Sequence, residues 1–276
     1  MADEFKTLEI ERRGALAIVS MNRPAKLNAL SGQLIADLHN CFSGMCHDFK
    51  TRVIILRGAG RAFCAGADLE QLTTGSFTDA GSQYDMGPVQ YHYHMAQSVL
   101  SEIVVMMRRC PQPIIGAVNG HAVGGGFSLA LACDVRIVSE SVRMNAGYIR
   151  IGLSGCDMGS SYFLPRIIGF SRAAEYLYTG RVIDAATADR IGLVSRVVAE
   201  DKLMDAAVEL AEEMLLTAPF GLRMTKEAYN LNVDAPSLES AINIENRNQS
   251  LLSFTEDHRE GGIAMFQKRK PVYRDR

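Results

Sequence analysis

The chain has no tryptophan among its 276 residues, and all aromatic side chains together amount to 7%. It also has no charge surplus to speak of, since 29 Lys and Arg against 31 Asp and Glu leave a formal net charge of −2. A protein that grips nucleic acid carries a basic excess and stacking rings, so no nucleic-acid partner is expected. The opening residues Met1-Ala2-Asp3-Glu4-Phe5-Lys6 are polar, with no basic n-region and apolar h-region behind them. That argues against a signal or transit peptide and for a cytoplasmic setting. The six cysteines (Cys41, Cys46, Cys64, Cys110, Cys133 and Cys156) form no Cys-x-x-Cys pair. Neither a metal site nor a disulfide framework is therefore expected, and reduced thiols are the default.

One run, Ile114 to Cys133, contains no Asp, Glu, Lys or Arg over about the length a bilayer requires. It nevertheless holds Gly116, Asn119, Gly120, His121, Gly124, Gly125 and Gly126, so it reads as a buried strand, a glycine turn and a buried helix. No membrane partner is expected. What remains is an ordinary globular balance, with 47% hydrophobic and 22% charged residues, in a chain long enough to bury a sizeable core.

Leu8 to Ser20 alternates around Arg13-Gly14 as a hairpin would. Val53-Ile54-Ile55-Leu56 is a short apolar run ending in Gly58-Ala59-Gly60, read as a buried strand. Between them, Ser31 to Phe49 is helix-like, with Ser31 as N-cap and Leu34, Ile35, Leu38 and Phe42 on one face. The strand–turn–helix unit recurs: strand Ile114–Val118, helix from Phe127 to Ala132, strand Val135–Val138, then a weaker helix Ala185–Ile191 and strand Leu193–Val198. A polar loop, Gly75–Pro88, precedes a long helix from about Val89 to Arg108. After Asp201 only helical periodicity remains, over Leu203–Leu216, Phe220–Asn230 and Leu238–Ser253. The reading is an α/β protein: a core over residues 1–200 followed by a helical region over 201–276.

Two glycine-rich strand-to-helix turns draw the chemistry together. One is Arg61-Ala62-Phe63-Cys64-Ala65-Gly66-Ala67-Asp68-Leu69; the other is Asn119-Gly120-His121-Ala122-Val123-Gly124-Gly125-Gly126-Phe127. Glycine admits backbone geometries closed to other residues, and a turn that opens a helix aims free N–H groups at one spot. Two such turns converging make an oxyanion hole; the plainer alternative is glycines that allow tight strand–helix packing. The dinucleotide fingerprint Gly-x-Gly-x-x-Gly is absent.

These two motifs, together with Asn22-Arg23-Pro24, Leu27-Asn28-Ala29-Leu30, Leu131-Ala132-Cys133-Asp134, Thr179-Gly180, Ile191-Gly192-Leu193-Val194 and the closing Glu256-Asp257-His258-Arg259-Glu260-Gly261-Gly262 with Phe266, resemble the crotonase (enoyl-CoA hydratase/isomerase) superfamily. The resemblance spans essentially the whole chain in order. It implies a spiral of ββα units with a C-terminal helical region that builds trimers, often paired into hexamers. It implies an acyl-CoA thioester as substrate, coenzyme A entering only as part of that thioester and no permanently bound cofactor or metal. The thioester oxygen would lie between the N–H groups of Ala67 and Gly125, and loss of one such donor typically adds about 3 kcal/mol to a barrier. Ala25, Lys26, Leu27, Ala65 and Leu69, with Phe266 and Lys268 in the tail, match the family's substrate- and CoA-contacting positions.

The two glutamates of family hydratases fall at Ser128 and Tyr148 in this chain. Neither a serine nor a tyrosine shuttles protons well near neutrality. Asp157, within Gly155-Cys156-Asp157-Met158-Gly159, resembles instead the aspartate that dienoyl-CoA isomerases use for proton transfer and that related dehalogenases use as nucleophile. Its surroundings lack charged side chains, which would raise its pKa toward a useful range. The alternative is an aspartate capping a helix that starts near Met158. His94 and His92 stand at the head of the 89–108 helix, where relatives shape the acyl pocket. Met95, Met106 and Met107 read as core or pocket lining. Asp68 and Asp134 read as structural, and Cys64, with no base near it in sequence, as packing.

The expectation is double-bond isomerisation of an enoyl-CoA through Asp157. The alternatives are a hydratase lacking the usual glutamates, an aryl-CoA dehalogenase and a non-catalytic acyl-CoA-binding paralogue. The balanced charge hides an uneven chain: His258–Arg276 carries six Lys and Arg against two acids, 6 − 2 = +4, which leaves −2 − 4 = −6 elsewhere. By the resemblance, that basic tail lies near CoA phosphates.

Overall fold

The computed structural model describes residues 5–70 and 86–276. Most of the Gly75–Pro88 loop expected from sequence lies outside the described residues. The apolar runs become strands buried on both faces. The hairpin β1 (Leu8–Arg13) and β2 (Leu16–Met21) pairs antiparallel, and β3 (Val53–Gly58) joins β2 in parallel. Next come β4 (Ile114–Val118), β6 (Val135–Ser139) and β9 (Arg196–Val198), giving a sheet of order β1-β2-β3-β4-β6-β9. A second small sheet runs β5 (His121–Val123), β7 (Arg143–Asn145) and β8 (Ile183–Asp184). Each of β4 and β6 thus hands the chain to a short strand of the second sheet before the next helix, which is the ββα spiral.

Side-chain alternation along the strands sorts the core. One face of the large sheet, with Ala17, Val19, Ile54, Leu56, Ile114, Val118 and Val138, packs with α1 (Gly32–Met45), α2 (Ser98–Arg109) and α3 (Gly125–Ala132). The other face, with Leu16, Ile18, Val53, Ile55, Ile115, Ala117 and Ile137, is covered by Leu203, Ala207 and Ala211. Helices α4 (Ser160–Ile168), α5 (Phe170–Thr179) and α6 (Ala185–Arg190) complete the spiral. The C-terminal region is α7 (Leu203–Leu215), α8 (Pro219–Asn232), α9 (Leu238–Ser253) and α10 (Glu256–Phe266). Its first helix therefore belongs to the sheet's own core. No described helix is long and apolar enough to cross a membrane, and the Ile114–Cys133 run is β4, β5 and α3.

Ser31 does cap α1, accepting from the Leu34 N–H, but the helix stops at Met45 rather than reaching Phe49, which is 57% exposed. The 89–108 helix is not uniform. A short turn, Pro88–Tyr91, runs into a π-helical stretch, His92–Gln97, before α2 begins at Ser98. α8 is fastened to the core by a buried ammonium. Lys226 Nζ lies 2.8 Å from Asp134 Oδ2, 3.0 Å from the Met107 carbonyl and 2.8 Å from the Gln112 carbonyl. Asp134 also accepts from Arg108 at 2.9 Å and from the Ile114 N–H at 2.7 Å, which gives it a structural role.

Candidate active site

The two glycine turns meet backbone to backbone. Cys64 pairs with Ala122 as a parallel bridge: its N–H donates to the His121 carbonyl (2.9 Å) and its carbonyl accepts from the Val123 N–H (3.0 Å). Gly66 has φ +90°, and a side chain there would lie 2.7 Å from the Val123 carbonyl oxygen. A side chain at Gly126 would lie 2.2 Å from the Cys64 carbonyl oxygen. Only glycine allows this approach, so the packing role and the convergence suspected from sequence are one feature. Cys64 itself is fully buried, and burial pushes its thiol up to about 12, which leaves it a packing group.

The same pairing exposes the candidate donors. Ala67 bridges Leu30 through its neighbours, Leu30 N–H to the Gly66 carbonyl (2.7 Å) and Asp68 N–H to the Leu30 carbonyl (3.1 Å). The Ala67 N–H is thereby turned the other way. Gly125 is the first residue of α3, where helix geometry provides no internal acceptor for its N–H. Among the described residues neither N–H has a hydrogen-bond acceptor.

Asp157 stands next to this spot. Met158 Sδ lies 3.2 Å from where a side chain at Gly125 would sit, and Ser128, in the first turns of α3, donates from Oγ to the Asp157 carbonyl at 3.0 Å. The Asp157 N–H donates to Ser160 Oγ at 3.1 Å. The carboxylate is anchored through one oxygen: Oδ1 accepts from Gln97 Nε2 at 2.6 Å and from the Met158 N–H at 2.8 Å. Burial raises its pKa above the ordinary carboxylate value, against the opposing pull of those two donors. The capping alternative does not hold. Met158 (φ +45°) and Gly159 (φ +80°) are left-handed, Gly159 is the N-cap, and α4 starts only at Ser160. Gln97 carries no motif, and it lies 60 residues from Asp157 in sequence, so sequence reasoning missed it.

Tyr148, on the 3-10 turn Gly147–Ile151, is 5% exposed, and its ring packs 3.4 Å from the position of a Gly124 side chain. Burial raises the phenol's pKa, and the hydroxyls of Ser160 and Ser128 stand near it. Its own hydroxyl makes no hydrogen bond among the described residues. Ser128, Tyr148 and Asp157 are thus brought together with Ala67 and Gly125.

The other positions are spread more widely. Ala25 and Lys26 lie in the 3-10 turn Pro24–Lys26, and Leu27 (φ +50°) follows it. The Ala65 N–H donates to the Leu27 carbonyl at 3.0 Å, which binds this turn to the first glycine turn. Arg23 reinforces the junction, pairing with Asp68 at 2.9 Å and donating to the Ala29 carbonyl, so Asp68 is structural. Lys26 is exposed and pairs with Glu70 at 2.7 Å; Leu69 is exposed as well. His94 is exposed on the π-helical stretch, its ring edge-on to Tyr93 at 4.9 Å. His92 and Met95 are exposed there too, whereas Met106 and Met107 are buried core. Phe266 ends α10 at 91% exposure, with Lys268 just beyond it, and no hydrogen bond among the described residues joins them to the Lys26 or Ala67 turns. Among the described residues no three His, Cys, Asp or Glu side chains are grouped to hold a metal ion.

The family model described as enoyl-CoA hydratase/isomerase matches residues 11–276. The chain belongs to that family. It is 34% identical to a protein of Rhizobium meliloti named probable enoyl-CoA hydratase, an alignment covering 99% of both chains. The crystal structure of an enoyl-CoA hydratase from Bacillus anthracis is 34% identical, covers 98% of this chain and 100% of its own, and superposes with a TM-score of 0.88. The crystal structure of a monofunctional enoyl-CoA isomerase from M. smegmatis is 37% identical, covers 86% of this chain and 98% of its own, and has a TM-score of 0.71. The chain is thus an enzyme of the hydratase/isomerase family with the crotonase fold, and names of both reactions occur among its relatives.

Proposed function

We propose that this enzyme moves a double bond within an enoyl-CoA thioester. The Ala67 and Gly125 N–H groups hold the thioester oxygen as the enolate forms, and Asp157 removes a proton from one carbon and returns it to another. The observation that carries this reading is the Asp157 carboxylate, anchored through Oδ1 beside the Gly125 turn; the resemblance adds that Ser128 and Tyr148 stand where family hydratases carry their two glutamates. A 1,3-shift needs one group that alternates between base and acid, whereas hydration must also activate a water. Coenzyme A is held as part of the substrate along the 25–27 turn, Ala65 and Leu69, with Phe266 and Lys268 closing over it from the tail.

Hydration is the second reading. It is favoured by the unpartnered Tyr148 hydroxyl near Ser128 and Ser160, a place where a water finds hydrogen-bond partners, and by relatives named hydratase. Incubating the protein with 2-enoyl-, 3-enoyl- and 3,5-dienoyl-CoA and identifying products separates the two. Isomerised product without 3-hydroxyacyl-CoA is expected, and rapid hydration of crotonyl-CoA would replace it with the second reading. Full activity in Asp157→Asn would sink the role given to Asp157.

The C-terminal helices are also proposed to join copies of the chain into a trimer or a hexamer. Exposed Leu238, Phe254, Met265 and Phe266 support that, since large apolar surface on a lone chain marks an interface. Light scattering on the purified protein reads the mass, and a monomer would refute it.

A further inference from the structure

We propose that Gln97 is the positioning residue for Asp157, and that it fixes Oδ2 as the oxygen through which the proton passes. This rests on the proton-transfer role of Asp157 and names the device that serves it. Oδ1 accepts two N–H donors, from Gln97 at 2.6 Å and Met158 at 2.8 Å, so its lone pairs are occupied. Oδ2 has no hydrogen-bond partner among the described residues. A proton therefore binds at Oδ2 without displacing either donor, and the carboxylate keeps its orientation through both halves of a proton shuttle.

The backbone that delivers Gln97 is unusual. It is the last residue of the π-helical stretch His92–Gln97, and the Ser98 N–H reaches back to the Tyr93 carbonyl across the wide turn. Ser98 Oγ donates to the same carbonyl at 2.7 Å, so a side chain reinforces the wide register. π-helical turns are rare and concentrate at functional sites. Here the turn hands α2 to the core at Ser98 while its last side chain bonds a carboxylate 60 residues away in sequence.

Gln97 also opposes the effect of burial. Its N–H stabilises the carboxylate, and burial stabilises the acid. Among the described residues, the groups that set this balance are the Gln97 and Met158 N–H donors, with no charged side chain beside them. Among the described residues, the titratable side chains beside Asp157 are Tyr148 from the 3-10 turn and Cys156 on Asp157's own segment, while His94 is exposed on the π-helical stretch that carries Gln97.

The test compares wild type, Gln97→Leu, Gln97→Glu and Asp157→Asn. Carbon-13 NMR follows the Asp157 carboxyl titration without substrate, and the pH profile of kcat/KM follows it in turnover. Gln97→Leu is expected to move the titration and the acidic limb up by about one pH unit. Gln97→Glu, which adds a like charge, is expected to move both further, with activity recovering at high pH. An unmoved titration in both variants overturns the inference, as does a uniform loss of kcat with an unmoved limb. If Asp157→Asn stays active, the proton-transfer reading fails on its own, while the NMR titration still decides whether Gln97 governs the carboxyl.

Discussion

A methyl group on Gly126 probes how the two donor turns are held together. The Cβ of Gly126→Ala would sit 2.2 Å from the Cys64 carbonyl oxygen, 2.7 Å from Cys64 Cβ and 2.9 Å from the Cys64 carbonyl carbon. Ordinary contact begins at 3.4 Å, so the shortfall on the oxygen is 3.4 − 2.2 = 1.2 Å. That oxygen has no slack, because the Val123 N–H already binds it at 3.0 Å. The strain must separate α3 from the 64–67 turn. Overpacking of this kind costs about 1–3 kcal/mol of stability. The larger effect is on turnover, because a donor misplaced by about 1 Å lowers the rate roughly a hundredfold. Thermal unfolding and kcat/KM on the acyl-CoA turned over are the two assays. Gly262→Ala in α10 is the control: a side chain there meets nothing within 4 Å, and replacing a mid-helix glycine stabilises by about 0.8–1 kcal/mol. Wild-type melting and wild-type kcat/KM in Gly126→Ala would refute the interlock.

Tyr148→Phe removes a buried hydroxyl that has no partner among the described residues, so urea unfolding should show stability unchanged or raised by about 1 kcal/mol. A clear loss would reveal a partner for that hydroxyl. Lys226→Met leaves Asp134 with Arg108 and the Ile114 N–H but removes a buried ammonium from three acceptors. Unfolding should then require about 3 kcal/mol less, and a change under 1 kcal/mol would contradict the fastening role. Asp157 carries a raised pKa in the folded chain, so the folded state holds the proton more tightly than the unfolded one. Its contribution to stability is present below the ordinary carboxylate pKa and is lost as pH rises through the folded value. At neutral pH, Asp157→Asn should therefore melt higher while losing turnover, and the melting gain should shrink toward pH 4. A gain independent of pH would contradict that assignment of cause.

Much of the scaffold is legible because burial on both faces writes itself as apolar runs: β2, β3, β4 and β6 all fall where Val, Ile and Leu cluster. The Ser31 cap and the loss of strands after Asp201 are local signals of the same kind. The second sheet is not, since strands as short as His121–Val123, Arg143–Asn145 and Ile183–Asp184 show no period to read. α1 is overextended in sequence because Phe49 looks like a core residue, yet it stays largely exposed, with the Arg223 guanidinium 5.5 Å from its ring centre. At the site, Gly125, Gly126 and Asp157 lie in recognisable patterns, whereas Gln97 reaches Asp157 only through a tertiary contact. The π-helical register is set by one hydroxyl and one widened turn, and no periodicity announces it.

On the proposed reading the anion-holding groups of this site are peptide N–H groups, and that divides heredity of function unevenly. A peptide donor is the same whatever side chain it carries, so substitution leaves it chemically intact as long as the glycine contacts around it stay open. Proton-handling groups are side chains, and each can be exchanged one codon at a time. Ser128 and Tyr148 occupy such exchangeable places, while Gly66 and Gly126 do not. A lineage built on this frame would therefore keep the proposed grip on the thioester oxygen while its reaction is free to drift.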